Sequence, residues 1–97
     1  MVMAILELDS GTRAELRSQA HTLSPTVMIG SGGLTPAIFK ETELALQSHQ
    51  LIKIRVLGDD RDARLTMYDE LCKQLDAAKV QHIGKLLIIY RPQTMSD

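Results

Sequence analysis

Gly30-Ser31-Gly32-Gly33 is the stretch of this chain whose composition is most suited to chemistry, because three of its four residues leave the backbone uncovered. Glycine accepts positive φ angles and lets main-chain amides approach a ligand with no Cβ in the way. The stretch follows the β-rich run Thr26-Val27-Met28-Ile29 and precedes Thr35-Pro36, an N-cap residue with proline at the first helical position. It therefore reads as a strand-to-helix turn, with helix-start N–H groups from Leu34 onward facing whatever sits there. Such a place favours an anion, and a sugar-phosphate backbone fits it. G-x-x-G is a weak motif alone, since an ordinary turn has the same glycines. Neither G-x-x-x-x-G-K-[ST] nor G-x-G-x-x-G is present, which weighs against mononucleotide and dinucleotide sites.

Other reactive side chains do not assemble into a catalytic pattern. Asp59, Asp60 and Asp62 stand where a third helix starts, and capping and the helix dipole account for them. His21, His49, His82 and Cys72 fall on separate elements without the paired spacing of a structural zinc site. Cys72 has no neighbouring activating histidine and reads as a buried, inert thiol within helix three. The expectation is no enzyme, no metal, no cofactor and no small-molecule substrate.

The elements that must hold the glycine turn follow from periodicity. Thr12 and Glu15 have capping-box spacing, and Leu16 and Ala20 give one apolar stripe of a first helix ending near His21. Ser24-Pro25 breaks it, and strand one is the run Thr26 to Ile29. Helix two runs from the Thr35 cap to about Ser48, with Ile38, Thr42, Ala45, Leu46 and His49 on its inner side. Leu51 to Leu57 is strand two, with Ile52, Ile54 and Val56 on one face and Lys53 and Arg55 on the other, half exposed. Helix three carries Met67, Leu71, Leu75 and Ala78 inward, and strands from Val80 to Ile83 and Leu86 to Tyr90 flank a Gly84-Lys85 hairpin turn. The order α-β-α-β-α-β-β predicts an α/β fold: a mixed four-stranded sheet packed with helices in two layers, with much of one sheet face open.

The whole of 1–97 is one domain with a core of about 12–92 and a polar tail over 93–97. Its 44% apolar and 24% charged residues suit a packed globule, and one cysteine excludes an internal disulfide. Without a basic flank on the apolar start, or a stretch long enough to cross a bilayer, the expectation is a cytoplasmic monomer with no membrane partner. Eleven basic residues against twelve acidic ones give a net charge of −1, so a nucleic-acid site has to be a local patch. Three aromatic residues, Phe39, Tyr68 and Tyr90, are too few for a sheet that stacks unpaired bases on several rings.

An ordered set of short motifs runs along nearly the whole chain, from about Thr12 to Pro92. It comprises Leu16, Ala20-His21, Leu23, Pro25, Ile29-Gly30-Ser31, Gly33-Leu34-Thr35, His49, Leu51-Ile52-Lys53, Val80-Gln81, Ile83-Gly84-Lys85 and Tyr90-Arg91-Pro92. In this the chain resembles the YhbY family, the bacterial stand-alone CRM domain. The resemblance implies an RNA-binding domain folded like the C-terminal domain of translation initiation factor three. Its implied partner is ribosomal RNA of large-subunit precursors in a pre-ribosomal particle, with a role in subunit assembly. The family's loop is compared with the backbone clamp of KH domains, which maps onto Gly30, Ser31, Gly32 and Gly33. Relatives often carry a polar or basic side chain where this chain has Gly32, so charge has to come from nearby residues. Arg13, Arg17, Lys40, Lys53, Arg55, Lys85 and Arg91 are the candidates, and Lys53, Lys85 and Arg91 lie in family motifs. The alternative is a protein-interaction module that docks on ribosomal proteins or an assembly factor through the open sheet.

Overall fold

In the computed structural model, which describes residues 8–92, the alternating pattern resolves into seven elements. They are α1 (Ser10–Ala20), β1 (Val27–Ile29), α2 (Pro36–His49), β2 (Leu51–Val56), α3 (Arg61–Leu75), β3 (Ala78–Ile83) and β4 (Leu86–Tyr90). The order is the expected one, while the tail over 93–97 lies outside the described residues. The sheet runs β1-β2-β4-β3, with β1 parallel to β2 and both other pairings antiparallel.

Three side-chain caps start the helices. The Asp9 carboxylate accepts the Thr12 N–H at 2.7 Å, so α1 begins at Ser10 and not at the Thr12–Glu15 box. That bond holds the Asp9 carboxyl below its ordinary pKa. Thr35 Oγ1 accepts from Ile38 N–H at 3.2 Å with Pro36 at the first position, as the sequence predicts. Asp60 accepts the Ala63 N–H at 3.0 Å and opens α3. At the other end of α3, Asp76 turns left-handed (φ 53°, ψ 43°) and stops the helix at Leu75. Ala78, expected on the inward stripe of α3, consequently begins β3. His49, expected on the inner side of α2, is exposed in its last turn, past the last buried position at Leu46.

The two sheet faces are covered unequally. Ile52, Ile54 and Val56 of β2, with Leu87 and Ile89 of β4 and Val27 and Ile29 of β1, pack against α2 and α3 through Leu46, Leu71 and Leu75. Those are the two layers expected. On the other face, Leu16 and Ala20 of α1 pack on Leu51, Val80 and Ile88, so α1 closes one half of the face expected to be open. The other half is a cross-strand row in which Met28 pairs with Arg55, Arg55 with Leu86 and Leu86 with Ile83. Met28 (54% exposed) and Ile83 (49%) show that α1 does not reach it.

Buried polar groups fix the junctions. β3 and β4 slip register between Lys79 and Gln81, and the Tyr68 hydroxyl sits there, donating to Ile88 C=O at 2.6 Å with Gln81 C=O at 3.1 Å. Burial raises its pKa, keeping it a neutral donor. Cys72 is buried in α3, and desolvation pushes its thiol up to about 12. Arg91 grips both oxygens of Glu43 at 2.7 Å and donates to Leu75 C=O at 3.0 Å, clamping the end of β4 to α2 and to the end of α3.

The Arg91 hydrogen bond lowers the Glu43 pKa and raises that of Arg91. A depressed carboxylate contributes stability above its unfolded pKa and loses it as pH falls through the folded one. Arg91→Ala should therefore destabilise the domain by about 1–2 kcal/mol at pH 7, and by progressively less towards pH 2. Urea melts across that range check this, and a loss independent of pH would count against the clamp.

Candidate nucleic-acid interface

Parallel pairing brings three loops to one end of the sheet. Leu57 N–H donates to Ile29 C=O at 2.9 Å, joining the exits of β1 and β2, and Val56 N–H donates to Lys85 C=O at 2.8 Å, joining β2 to the hairpin. The Gly30–Gly33 turn, the Leu57–Asp60 connection and the Gly84–Lys85 turn are thus neighbours, and α2 and α3 both start there.

The glycine turn is closed on itself. Gly33 N–H donates to Gly30 C=O at 3.0 Å, and Gly33 takes φ +69°, a left-handed geometry that strains other residues. Leu34 packs against the main core and anchors the turn, while Ser31 and Gly32 are exposed. A Cβ built on Gly30 meets nothing within 4 Å, so the space above it is open. The supply of amides is narrower than the sequence implies. Gly33 N–H serves the turn, Pro36 has none and Ile38 N–H serves the cap, which leaves the N–H groups of Ser31, Gly32, Leu34, Thr35 and Ala37 outside turn and cap.

The two helix starts differ in charge. α2 has no acidic residue in its first turn, whereas α3 carries Asp62 there and Asp60 as its cap. The positive end of the α2 dipole is open to an incoming anion, and that of α3 already faces its own carboxylates.

The expected cations divide by position. Arg55, Lys85 and Lys40 are exposed, the first two at the loop end of the sheet and Lys40 in the second turn of α2. Lys85 is paired with Asp59 at 2.9 Å, which keeps the Asp59 carboxyl below its usual pKa. Arg13 is half-buried on α1, within electrostatic range of the Tyr68 hydroxyl, and Arg17 is exposed in the last turn of α1. Lys53 and Arg91 do not join the group. Lys53 is only 9% exposed and donates to Leu23 C=O at 2.9 Å, tying the α1–β1 connection to β2, and Arg91 serves the clamp with Glu43 at the far end of β4. Two cations at the loop end were missed: exposed Arg61, and Arg64, 8% exposed with Nη1 3.4 Å from Gly58 C=O. Arg64 stands four residues past the Asp60 cap, a spacing that points back over its own helix start, but nothing in the pattern shows its burial.

The described residues contain no group of three or more His, Cys, Asp or Glu placed to hold a metal ion. The CRS1/YhbY (CRM) domain model matches residues 8–91, spanning all seven elements. The chain belongs to this family. An RNA-binding protein of Haemophilus influenzae is 43% identical over 77 residues, covering 79% of this chain and 78% of that one. The Pseudomonas aeruginosa protein PA4753, provisionally named as RNA-binding, is 36% identical over 86 residues, 89% of this chain and 83% of its own length. The solution structure of SAV1595 from Staphylococcus aureus, provisionally described as an RNA binder, superposes with a TM-score of 0.81 at 30% identity, covering 94% of this chain and 95% of that one. The CRM fold expected from the motifs is thereby the fold found.

Lys53→Met keeps the buried stem and removes the bond to Leu23. It should lower stability by about 1–2 kcal/mol and raise amide exchange from Thr22 to Thr26. Thermal melts and hydrogen exchange check this, and an unchanged melting temperature would argue against the tether.

Proposed function

We propose that this CRM domain binds structured RNA, with the Gly30–Gly33 turn and the start of α2 seating a phosphate backbone and Arg55, Lys85 and Lys40 neutralising its neighbours. The RNA is that of large-subunit ribosomal precursors, and the role is to assist subunit assembly without a chemical step. One observation carries the reading: the turn presents uncovered amides beneath open space, at a helix start free of acidic residues. The family supports RNA as the ligand, since relatives carry that description. The competing reading, docking on a ribosomal protein or assembly factor, draws on the cross-strand row of exposed Met28, Arg55 and Ile83 with half-buried Leu86.

Gly30 is the cleaner test position, because a side chain there has room and its φ is not left-handed. Gly30→Val should leave the melting temperature nearly unchanged and weaken binding to large-subunit precursor RNA about tenfold or more, measured by filter binding. Unchanged affinity in the folded variant would reject the turn as the seat. Crosslinking in cells should recover large-subunit precursors, and recovery of assembly proteins without RNA would favour the docking reading.

The Lys85–Asp59 pair is exposed, so breaking it barely affects stability. Asp59→Asn should release Lys85, tighten RNA binding several-fold and steepen the salt dependence by about one phosphate equivalent, or about 0.7–0.9 in log–log slope. Lys85→Ala should do the opposite. Identical slopes in both variants would remove Lys85 from the interface.

A further inference from the structure

At the opposite end of the sheet from the glycine turn, a cavity of about 590 Å³ lies between the end of α1, the connection from α1 to β1 and the end of α2. That volume lies within the range of roughly 300–1,000 Å³ typical of small-ligand pockets. Among the described residues its lining contains no Lys, Arg, Asp or Glu, and its polar side chains include Gln19, Thr22, Ser24 and Thr26.

The cavity sits on a strand edge. Leu51 and Ile52 both line it although their side chains pack on opposite faces of the sheet, which is met where the backbone itself forms the wall. The hydrogen bonds Arg91 N–H to Gln50 C=O and Val56 N–H to Lys85 C=O fix the alternation of β2. Even-numbered residues bond to β4, and the N–H and C=O of Leu51 point the other way. β1 begins only at Val27, opposite Ile54, so it has left that edge before Leu51. A donor and an acceptor one residue wide therefore face the cavity beside the apolar side chain of Leu23 and the imidazole of exposed His49.

The electrostatics select the ligand. α1 and α2 both end at this cavity, and helix C-termini disfavour anions, while the nearby Lys53 ammonium is already held by the Leu23 C=O at 2.9 Å and is not among the lining residues. The phosphate suited to the start of α2 is thus unsuited to its end. A group with apolar faces and neutral hydrogen-bonding edges fits this lining, and in RNA that group is the base.

We propose that this cavity is a seat for one unpaired nucleobase, whose edge bonds to the Leu51 backbone and to the amide and hydroxyl rim. The inference rests on RNA as the ligand but not on the glycine turn as the phosphate seat. Two measurements on the intact chain test it. Titration of adenosine, cytidine, guanosine and uridine into the labelled protein should shift the amides of Gln19, Thr22, Ser24 and Leu51 for at least one nucleoside, while those of Gly30 to Leu34 stay still. No shift at millimolar nucleoside, or shifts centred elsewhere, would overturn the seat. Ser24→Tyr places a ring at the mouth of the cavity, and should weaken binding to a single-stranded oligoribonucleotide about tenfold with an unchanged salt slope. Unchanged affinity in a folded Ser24→Tyr protein would also overturn it. Should that variant unfold, the nucleoside titration decides alone. Loss of affinity in Gly30→Val with no nucleoside shift leaves the glycine turn standing and removes the base seat, and the reverse pattern does the opposite.

Discussion

Two main-chain hydrogen bonds at the exits of the strands, from Leu57 to Ile29 and from Val56 to Lys85, determine what this domain can present. They bring the glycine turn, the loop into α3 and the hairpin to a single edge. Parallel pairing of β1 and β2 makes both following helices start there. α2 must then end at the opposite edge, so its dipole gives the domain an anion-favouring pole and an anion-disfavouring one. Had β1 paired antiparallel to β2, the turn would sit at the other edge, away from Lys85 and Arg55.

Much of this is legible in residue order because the causes are local. Thr35-Pro36 announces the start of α2, alternation in Ile52, Ile54 and Val56 sorts the faces of β2, and Gly84 marks the hairpin with φ +55°. Errors arise where two local signals compete. Asp9 caps α1 in place of Thr12, since either residue can accept from an amide three positions on and the choice depends on where the chain enters. Asp76 ends α3 by taking a left-handed conformation open to aspartate but seldom signalled by it.

The charges of the site were less legible, for a different reason. Lys53 and Arg91 lie in family motifs, and Lys53 alternates away from Ile52 and Ile54 like a surface residue, yet their partners are 30 and 48 residues away in sequence. Only the landing of α1 across the second face creates the junction in which Lys53 is buried, and amphipathic spacing within α1 shows that it has an apolar stripe without showing which face receives it. A periodic pattern assigns a side chain to a face and is silent on what covers that face.

This redistribution changes how a near-neutral chain can hold a polyanion. Lys53, Arg64 and Arg91 are committed to carbonyls or carboxylates inside the fold, and Lys85 is shared with Asp59. Few cations remain unshared at the glycine-turn edge, so counterion release is a modest contribution to the proposed RNA binding. More of the affinity then falls to amides at the turn and to uncharged surface, both of which depend on geometry. On the proposed reading such a domain would discriminate by the shape of the nucleic acid, because a backbone that does not follow the turn would meet Asp59, Asp60 and Asp62 instead of the open start of α2.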